Sequence, residues 1–420
     1  MGSWWRYPVR MVLVMGALLV AVACGSGDQH AAADNGGVRS EDTGDGAKKH
    51  ESIPAGSKST QTPLLMRVLA PPEPVKGSDG KYHLVYELVL TNSSPGTATV
   101  KSVEAIDAGS GEVVGTRTGD DLASRMALLG DISGKTSEKI GSGQVAIGFM
   151  DVAFEIRRDI PKSIENRVRT VFDIPKGFAS NLFPTNTTDT DGRTEVLNKK
   201  PVVIGPPLEG NNWVVYNGCC TVSPHRGAIL ALGRRLLAAE RYAIDWIKAG
   251  DLGFSADGKK LERFSSYGEP IISVANGEVV EVVDKYPDNP PGVLNPDLKL
   301  KDAGGNHVIV DIGGGRYAFY AHLKPNSIRV EDGDLVGRGQ QIARLGNSGN
   351  TSQPHLHFHV VDEPLALGAD SNLPYVFDAF DYQGVVEEDG TRKLLKTPEP
   401  RRDELPLALS LVTFAAPEED

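Results

Sequence analysis

Three histidines alternate with apolar residues over residues 353–360, and this pattern limits what the chain can fold into more than any other. His355, His357 and His359 lie two positions apart, with a leucine, a phenylalanine and a valine following them in turn. Strict alternation of this kind predicts a β-strand whose successive side chains point to opposite faces. We therefore expect the three imidazoles to project from one face of a sheet while the apolar side chains pack behind them.

Imidazoles on one face of a strand can share one chemical site. A neutral imidazole is a common metal ligand and a common proton shuttle, so one of the three can bind a metal while its neighbour handles a proton. The other reading is a polar, solvated face of an edge strand. The two readings differ in whether further ligands lie elsewhere in the chain.

The composition bounds the class of protein. The chain has 420 residues, of which 40% are hydrophobic and 24% are charged, which suits a folded soluble protein of roughly two to three domains. Its formal net charge is −11, and no lysine- or arginine-rich block stands out. Nucleic acid is therefore not expected as a partner.

Residues 1–24 predict an export signal rather than part of a fold. Arg6 and Arg10 precede a continuous apolar run over residues 11–23, which is too short to span a bilayer comfortably. Residues 21–24 resemble the lipobox of bacterial lipoproteins, which implies lipidation of Cys24 and a membrane anchor in the cell envelope. The alternative is ordinary cleavage and a free secreted protein.

Residues 25–63 contain almost no large apolar side chains and predict a disordered tether. Beyond the tether, the remaining cysteines are the adjacent pair Cys219 and Cys220. Adjacent α-carbons lie ~3.8 Å apart, less than the ~4.4–6.8 Å usual for a disulfide, so a bridge here would be a tight, strained ring. Zinc is the poorer alternative, because zinc sites usually separate their cysteines by ~2–4 residues. We favour a vicinal disulfide that stiffens a turn.

Two β-rich regions follow the tether. Short strands with regular turn signals over residues 64–180 predict an immunoglobulin-like β-sandwich, in which His83 is expected to be an ordinary strand residue. Residues 201–385 predict an antiparallel β-domain with hairpins. Residues 386–420 form a C-terminal extension, in which residues 405–414 could add one edge strand. The predicted fold class is therefore all-β.

An ordered set of motifs accompanies the histidine strand. Asn276-Gly277, between two β-rich runs, is a strong hairpin signal, and Tyr-Ala-His-Leu and Pro-His-Leu-His-Phe follow downstream. The motifs occupy residues 270–277, 320–323, 330–340, 346–350 and 354–358. Together they resemble the M23 (lysostaphin and LytM-type) zinc metallopeptidases, which cut peptide cross-links of bacterial peptidoglycan. The resemblance covers residues 221–363.

The resemblance implies one Zn²⁺ ion held by an upstream histidine and aspartate and by the second histidine of the His-x-His motif. Carried over, the metal ligands are His225, Asp245 and His357. The upstream pair departs from the family pattern, because 20 positions separate the two residues (245 − 225 = 20), and an insertion in the intervening turn is expected. If His225 is instead a surface loop residue, His359 or His307 would replace it, although His307 is more simply a packed strand residue.

The implied ligand set has the composition of a catalytic zinc site. Two imidazoles and one carboxylate leave the fourth tetrahedral position open for water, and the metal lowers the pKa of that water to ~7. The resemblance makes His355 and His322 the catalytic residues. His355 is placed to accept the proton of the water and to protonate the leaving amine. His322 is expected to hydrogen-bond the developing oxyanion, while His359 either neighbours the ligands or is exposed.

The favoured function is an exported zinc endopeptidase that acts on stem peptides or cross-bridges of peptidoglycan. One alternative is a catalytically silent, envelope-anchored regulator or activator of other wall hydrolases, as in family relatives that have lost ligands. Retention of the five site residues argues against it. Another alternative is a lipoyl- or biotinyl-type carrier with Lys285 near a hairpin turn, which would leave the histidines unexplained.

Overall fold

The computed structural model describes the chain over residues 61–131, 135–252, 260–365, 372–387 and 390–415. The predictions for the export signal, for Cys24 and for most of the tether lie outside these ranges. Within them, no helix is long and apolar enough to cross a membrane. The described chain consists almost wholly of strands and turns, so the all-β prediction is confirmed.

The first unit is a sandwich of two antiparallel sheets. Its strands are β1 (Leu64–Val68), β2 (Pro74–Lys76), β3 (Tyr82–Asn92), β4 (Thr97–Asp107), β5 (Val113–Thr118), β6 (Met126–Leu128), β7 (Lys139–Ile140), β8 (Val145–Phe154), β9 (Ser163–Asp173) and β10 (Asn186–Glu195), with helix α1 (Gly119–Ser124) before β6. One sheet has the order β1-β3-β8-β6, with β2 beside β3. The other has the order β10-β9-β4-β5, with β7 beside β4.

Strand β10 extends the sandwich past residue 180, where the sequence placed its end. It pairs with β9 from Asn186 to Glu195, with one irregularity in register. Most of its residues are exposed, and it contains no apolar residue. A polar edge strand of this kind lacks the alternation on which strand prediction depends.

Strand β3 is buried on both faces. Leu84, Tyr86 and Leu88 belong to the core between the two sheets of the sandwich. The alternate residues point away from that core: Val85 packs into the core of the second unit. Two-sided burial explains why β3 reads as a nearly continuous apolar run rather than an alternating one.

The second unit is built around a ten-stranded antiparallel sheet. Its strands are β11 (Val202–Ile204), β12 (Gly210–Tyr216), β13 (Ile229–Leu232), β14 (Arg235–Ala238), β15 (Ile244–Lys248), β16 (Pro270–Ile272), β17 (Gly277–Val283), β18 (His307–Asp311), β19 (Tyr317–Ala321), β20 (Leu335–Val336), β21 (Gln341–Arg344), β22 (Leu356–Val361), β23 (Tyr375–Phe377), β24 (Phe380–Val386), β25 (Arg392–Arg401) and β26 (Ser410–Phe414), with the short helix α2 (Pro224–Gly227) before β13. The large sheet has the order β20-β17-β18-β19-β22-β15-β12-β26-β24-β25.

The hairpin predicted at Asn276-Gly277 is wrong. The runs on either side of it do not pair with each other: β16 pairs with β21, and β17 pairs with β18 and β20. The glycine is needed for another reason, because a Cβ on Gly277 would lie 2.3 Å from the main-chain oxygen of Asp311. The Asn-Gly turn therefore carries the chain from one sheet to the next where two backbones approach closely.

The edge strand predicted near the C-terminus is also corrected. Strand β26 lies inside the large sheet, paired with β12 on one side and β24 on the other. Its Leu411, Val412 and Phe414 side chains are buried, as a central strand requires. The edge of the sheet is instead β25, whose side chains are almost all exposed.

Candidate metal centre

Four neighbouring strands bring the predicted site residues to one place. Strands β19, β22, β15 and β12 are consecutive in the large sheet. Asp245 on β15 lies directly opposite His357 on β22, and Ala321, the last residue of β19, pairs with His357 on the other side. His322 therefore follows at the end of β19, as Asn217 does at the end of β12.

The histidine strand has the predicted alternation. The side chains of Leu356, Phe358 and Val360 lie in the core of the second unit, whereas His357 and His359 lie on the opposite face, each with its ring against that of Phe319. This confirms the expected division of faces. His355 differs slightly from the prediction, because it precedes the first residue of β22 rather than lying within the strand.

His225 reaches the site from the short helix α2. The hydroxyl of Ser223 accepts a hydrogen bond from the Arg226 amide and so caps this turn. The residues between α2 and β15 form the hairpin of β13 and β14, with Arg234 in the left-handed region at its tip (φ 66°). This hairpin is the insertion that the long spacing between His225 and Asp245 predicted.

The three predicted ligands converge on one point. The Oδ1 atom of Asp245 lies 3.2 Å from Nε2 of His225 and 3.1 Å from Nδ1 of His357. The candidate ligand atoms of all three residues lie within 4.8 Å of one another, and all three side chains are buried. Ligands bound to one ion at about 2.0–2.2 Å in a tetrahedron lie roughly 3.3–3.6 Å apart, so these residues fit a mononuclear zinc site.

Hydrogen bonds behind the ligands leave the converging atoms available. The Nδ1–H of His225 donates to the main-chain oxygens of Asn217 at 3.1 Å and Ala243 at 3.0 Å. The side-chain amide of Asn217 donates to Oδ2 of Asp245 at 2.7 Å. Nε2 of His357 lies 3.0 Å from Nδ1 of His359. Such outer contacts set the tautomer and the orientation of metal ligands.

His355 and His322 lie beside the ligand set. The Nδ1–H of His355 donates to the oxygen of Gln353 at 2.9 Å, and its Nε2 lies 3.3 Å from Oδ1 of Asp245. The Nδ1–H of His322 donates to the oxygen of Ser348 at 2.8 Å. The rings of His322 and His355 are 4.7 Å apart between centroids.

The backbone of His322 occupies the left-handed region, with φ 62°, a conformation that few residues other than glycine adopt. Its amide donates to the oxygen of Gly304 at 2.9 Å, and its own oxygen accepts from the Gly346 amide at 3.1 Å. Neighbouring loops thus hold the ring in place from both sides. Unusual backbone of this kind concentrates at functional sites.

Two effects set the pKa values of the site residues: burial, which disfavours the charged forms, and the charges of close neighbours. Burial raises the pKa of Asp245, but the charges of His225 and His355 outweigh it and hold that pKa well below 3.8. Burial lowers the pKa of His225, yet the Asp245 carboxylate raises it overall to about 9. The same balance raises the pKa of His355. Burial and the charges of His355 and His357 keep the pKa of His322 well below 6.5.

Because His225 is buried beside Asp245, neither His359 nor His307 is needed in its place. His359 is fully buried against His357, which excludes the exposed alternative. His307 donates from Nδ1 to the oxygen of Gly305 at 2.8 Å, and its Nε2 lies 3.7 Å from Glu281. It is the packed strand residue that the sequence favoured.

Asn217 and Ser348 were not predicted from the sequence. Asn217 lies in the left-handed region (φ 54°) directly after β12, and Ser348 acts through its main-chain oxygen. The only signal for Asn217 is an Asn-Gly pair after a strand, and a carbonyl contact leaves no signal in side-chain types.

The vicinal disulfide is present: Cys219 and Cys220 are bonded, in the same turn as Asn217.

The fold and the site define a class: an all-β protein with a candidate mononuclear metal centre of catalytic type. Residues 259–367 match the model of peptidase family M23. The matched part contains His322, His355 and His357 and lies downstream of His225 and Asp245. The predicted resemblance to this family is therefore confirmed over these residues.

The chain is similar to several curated proteins over part of its length. The peptidoglycan DD-endopeptidase ShyB of Vibrio cholerae is 32% identical over 116 residues, which cover 25% of this chain and 23% of that protein. The peptidoglycan DD-endopeptidase ShyA of the same organism is 39% identical over 71 residues, or 17% of this chain and 16% of that protein. The alignments therefore span less than a quarter of the length of these relatives.

Two other comparisons are more distant. The cell division protein DipM of Caulobacter vibrioides is 24% identical over 164 residues, which cover 37% of this chain and 22% of that protein. The solved catalytic domain of lysostaphin from Staphylococcus simulans is 18% identical and aligns over 39% of this chain and 88% of that domain, with a TM-score of 0.23. A score this low carries no argument about this chain.

Proposed function

We propose that this protein is a zinc-dependent endopeptidase that hydrolyses peptide cross-links of bacterial peptidoglycan. The observation that carries the proposal is the convergence of His225, Asp245 and His357, with the rings of His355 and His322 beside them. The match to family M23 and the similarity to two peptidoglycan DD-endopeptidases support the substrate class.

The donor set suits the metal. Two imidazole nitrogens and one carboxylate oxygen are ligands that zinc prefers, and three protein ligands are typical of catalytic rather than structural sites. When bound, zinc would lower the pKa of a water to about 7 and polarise a carbonyl group. His225 and His357 each use their second ring nitrogen in a hydrogen bond, which supports the roles of Nε2 of His225 and Nδ1 of His357 as ligands.

His355 and His322 supply the proton transfers in this proposal. Both Nδ1–H groups are held by main-chain oxygens, so the neutral rings carry their lone pairs on Nε2. Nε2 of His355 lies nearest the ligands and accepts the proton of the attacking water. A ring protonated on Nε2 then donates to the leaving amine or to the developing oxyanion. His322 can play the donor role only after taking up a proton.

The experiment compares the wild-type chain with His357→Ala and Asp245→Ala on purified peptidoglycan, with zinc removed and then restored. We expect zinc-dependent release of fragments with new amino termini, identified by mass spectrometry. Both variants should lose more than the ~10- to 100-fold that changes behind the ligands cost, because each removes a ligand. His307→Gln, on the same sheet but outside the ligand set, is the control that should retain activity.

Two outcomes would count against the proposal. Stoichiometric zinc without cleavage of peptidoglycan would favour the silent regulator or a different substrate. Cleavage that survives His357→Ala would remove the metal centre from the mechanism. The mass of the released peptides names the bond that is cut.

We further propose that the protein is exported to the bacterial envelope and anchored by a lipid on Cys24. The motif at residues 21–24 supports this. Metabolic labelling with a fatty-acid probe should mark the wild type and not Cys24→Ala. Label that persists in Cys24→Ala, or no label on the wild type, would leave a secreted protein without this anchor.

A further inference from the structure

A carboxylate of the first unit is buried beside the segment that carries a predicted metal ligand. Glu87 lies on β3, on the face that points away from the sandwich core, and it is fully buried. Its partners are Arg226 and Arg241, both from the second unit and both buried. A charged residue is almost never found fully buried without a partner, and here one carboxylate serves two guanidinium groups.

The contacts around Glu87 are specific. Nη2 of Arg226 donates to its Oε1 at 3.0 Å. Nε of Arg241 donates to its Oε2 at 2.9 Å, and Nη2 of Arg241 makes a further short contact with the same oxygen. Burial raises the pKa of Glu87, but the charges of Arg241 and Arg226 outweigh it and lower that pKa overall. Glu87 therefore carries a negative charge in this pocket.

Arg226 ties the metal-ligand segment to the sandwich at several points. Its Nη2 also donates to the main-chain oxygens of Tyr86 and Met150, each at 3.2 Å, on neighbouring strands of the first unit. Its Nη1 donates to the oxygen of Cys220 at 2.9 Å. One guanidinium thus joins both units and the disulfide-bonded turn.

The two arginines stand at the ends of the insertion. Arg226 follows the predicted ligand His225 directly, and Arg241 lies four positions before the predicted ligand Asp245. Between them runs the β13–β14 hairpin, which has its own two-stranded sheet and no pairing with the large sheet. The hairpin alone therefore does not fix where α2 sits relative to β15. Beside the hydrogen bond from His225 to Ala243, the contacts of both arginines with Glu87 add a second connection between these segments.

We propose that Glu87 is a positioning residue for the metal centre, so that the first unit helps to hold His225 at the distance from Asp245 that metal binding requires. This inference rests on the proposed metal site but not on the proposed substrate. It gives the sandwich a role in holding the metal centre. Residues behind metal ligands commonly change metal affinity when they are replaced.

The test measures metal binding rather than hydrolysis. Metal-free full-length wild type and Glu87→Gln are titrated with Zn²⁺ against a chromophoric chelator, and with Co²⁺ while its visible absorption bands report the coordination geometry. We expect Glu87→Gln to bind both ions about 10- to 100-fold more weakly and to give altered Co²⁺ bands. Amide exchange should also quicken over residues 223–245 of the metal-free variant, because Arg226 and Arg241 lose their shared ion pair.

The matched control is Glu104→Gln. Glu104 pairs with Arg167 at 2.9 Å within the sandwich, so this variant loses a Glu–Arg pair of the same unit without touching the insertion. It should bind both ions as the wild type does. A folded Glu87→Gln with wild-type affinities and Co²⁺ bands would overturn the inference, as would an equal loss in Glu104→Gln.

A second variant covers the case in which Glu87→Gln does not fold. Glu87→Asp keeps the charge but withdraws the carboxylate by one methylene, and weaker Co²⁺ binding with altered bands is again expected. Wild-type binding by Glu87→Asp would then overturn the inference. Failure of the metal site itself shows separately, as a wild type that binds no metal. Failure of the proposed peptidase shows as a wild type that binds metal but leaves peptidoglycan intact.

Discussion

At the scale of single residues, the candidate site depends on side chains that are not ligands. Asn217 contacts both upstream ligands: its amide donates to Asp245 at 2.7 Å, and its main-chain oxygen accepts from His225 at 3.1 Å. Its backbone has φ 54°, a region that asparagine and glycine tolerate best. One residue thus combines a backbone requirement with a hydrogen-bonding one.

Replacing Asn217 by glycine separates these two requirements, since glycine keeps the backbone freedom and removes only the amide. We expect Asn217→Gly to weaken zinc binding by about 10- to 100-fold, measured by chelator competition. Asn326→Gly is the matched control, because Asn326 is exposed and has nearly the same φ, 55°. Equal affinities in both variants would mean that the amide of Asn217 does not orient Asp245.

A second prediction at this scale concerns His83, outside the candidate site. Its Nδ1 lies 2.9 Å from Asp151 and its Nε2 lies 3.2 Å from Asp79. Burial lowers the pKa of His83, but the hydrogen bond and charge of Asp151, with the charge of Asp79, raise it overall above 6.5. A raised pKa stabilises the fold below the unfolded pKa, and that stabilisation is lost as the pH rises through the folded pKa.

The difference in melting temperature between wild type and His83→Gln should therefore be largest near about pH 6 and should shrink towards about pH 9. Thermal denaturation across that range, in one buffer of constant ionic strength, measures it. A difference that grows with pH would show that the ring is neutral in the folded protein. A neutral ring has a single N–H and would donate to only one of the two carboxylates.

At the scale of elements, the turn after β21 connects loop packing to the chemistry. Gly349 has φ 83°, and a Cβ there would lie 2.4 Å from the amide nitrogen of Gly305. The preceding residue, Ser348, accepts the hydrogen bond of His322. A side chain at Gly349 must push the two loops apart and move the oxygen that orients His322.

We therefore expect Gly349→Ala to lower stability by more than the ~1–2 kcal/mol that a left-handed backbone alone costs, and to lower the rate of the proposed peptidoglycan cleavage. Gly313→Ala is the control, since Gly313 has φ 85° with nothing near its Cβ position. It should lose only that backbone term and keep full activity. Denaturant unfolding curves and cleavage rates, measured on the same preparations, compare the two glycine variants.

The elements also show what a sequence can predict here. The histidine strand was predictable because its two faces differ in composition at every step, and the ligand set followed from its resemblance to a family. Strand β10 was not predictable, because it has no apolar residues that could alternate with polar ones. The hairpin at Asn276-Gly277 was wrong because a local turn signal does not report which strand lies across from Gly277.

At the scale of the whole molecule, the two units share their packing. Val85 of the sandwich lies in the core of the second unit, Val89 packs near Val222 and Ile229, and Glu87 lies between them with its two arginines. Gly77 forms a bridge with Leu405. None of these contacts could be read from the sequence, because each joins residues more than a hundred positions apart.

This packing predicts that the two units unfold together. The tryptophans of the described residues, Trp213 and Trp246, both belong to the second unit, so their fluorescence reports that unit. Amide exchange in β4 and β9 reports the sandwich. We expect both probes to give the same denaturant midpoint, since the buried Glu87 contacts and the shared apolar face would be exposed if either unit opened alone.

Adding zinc gives a second, more specific test of whether the two units unfold together. A ligand that binds only the folded state raises its stability by mass action, and the proposed ligands all lie in the second unit. If the units are coupled, added zinc raises the midpoint of amide exchange in β4 and β9 as much as that of tryptophan fluorescence. A zinc-induced shift confined to the fluorescence would mean that the sandwich unfolds independently, and that its contact with the insertion is too weak to position His225.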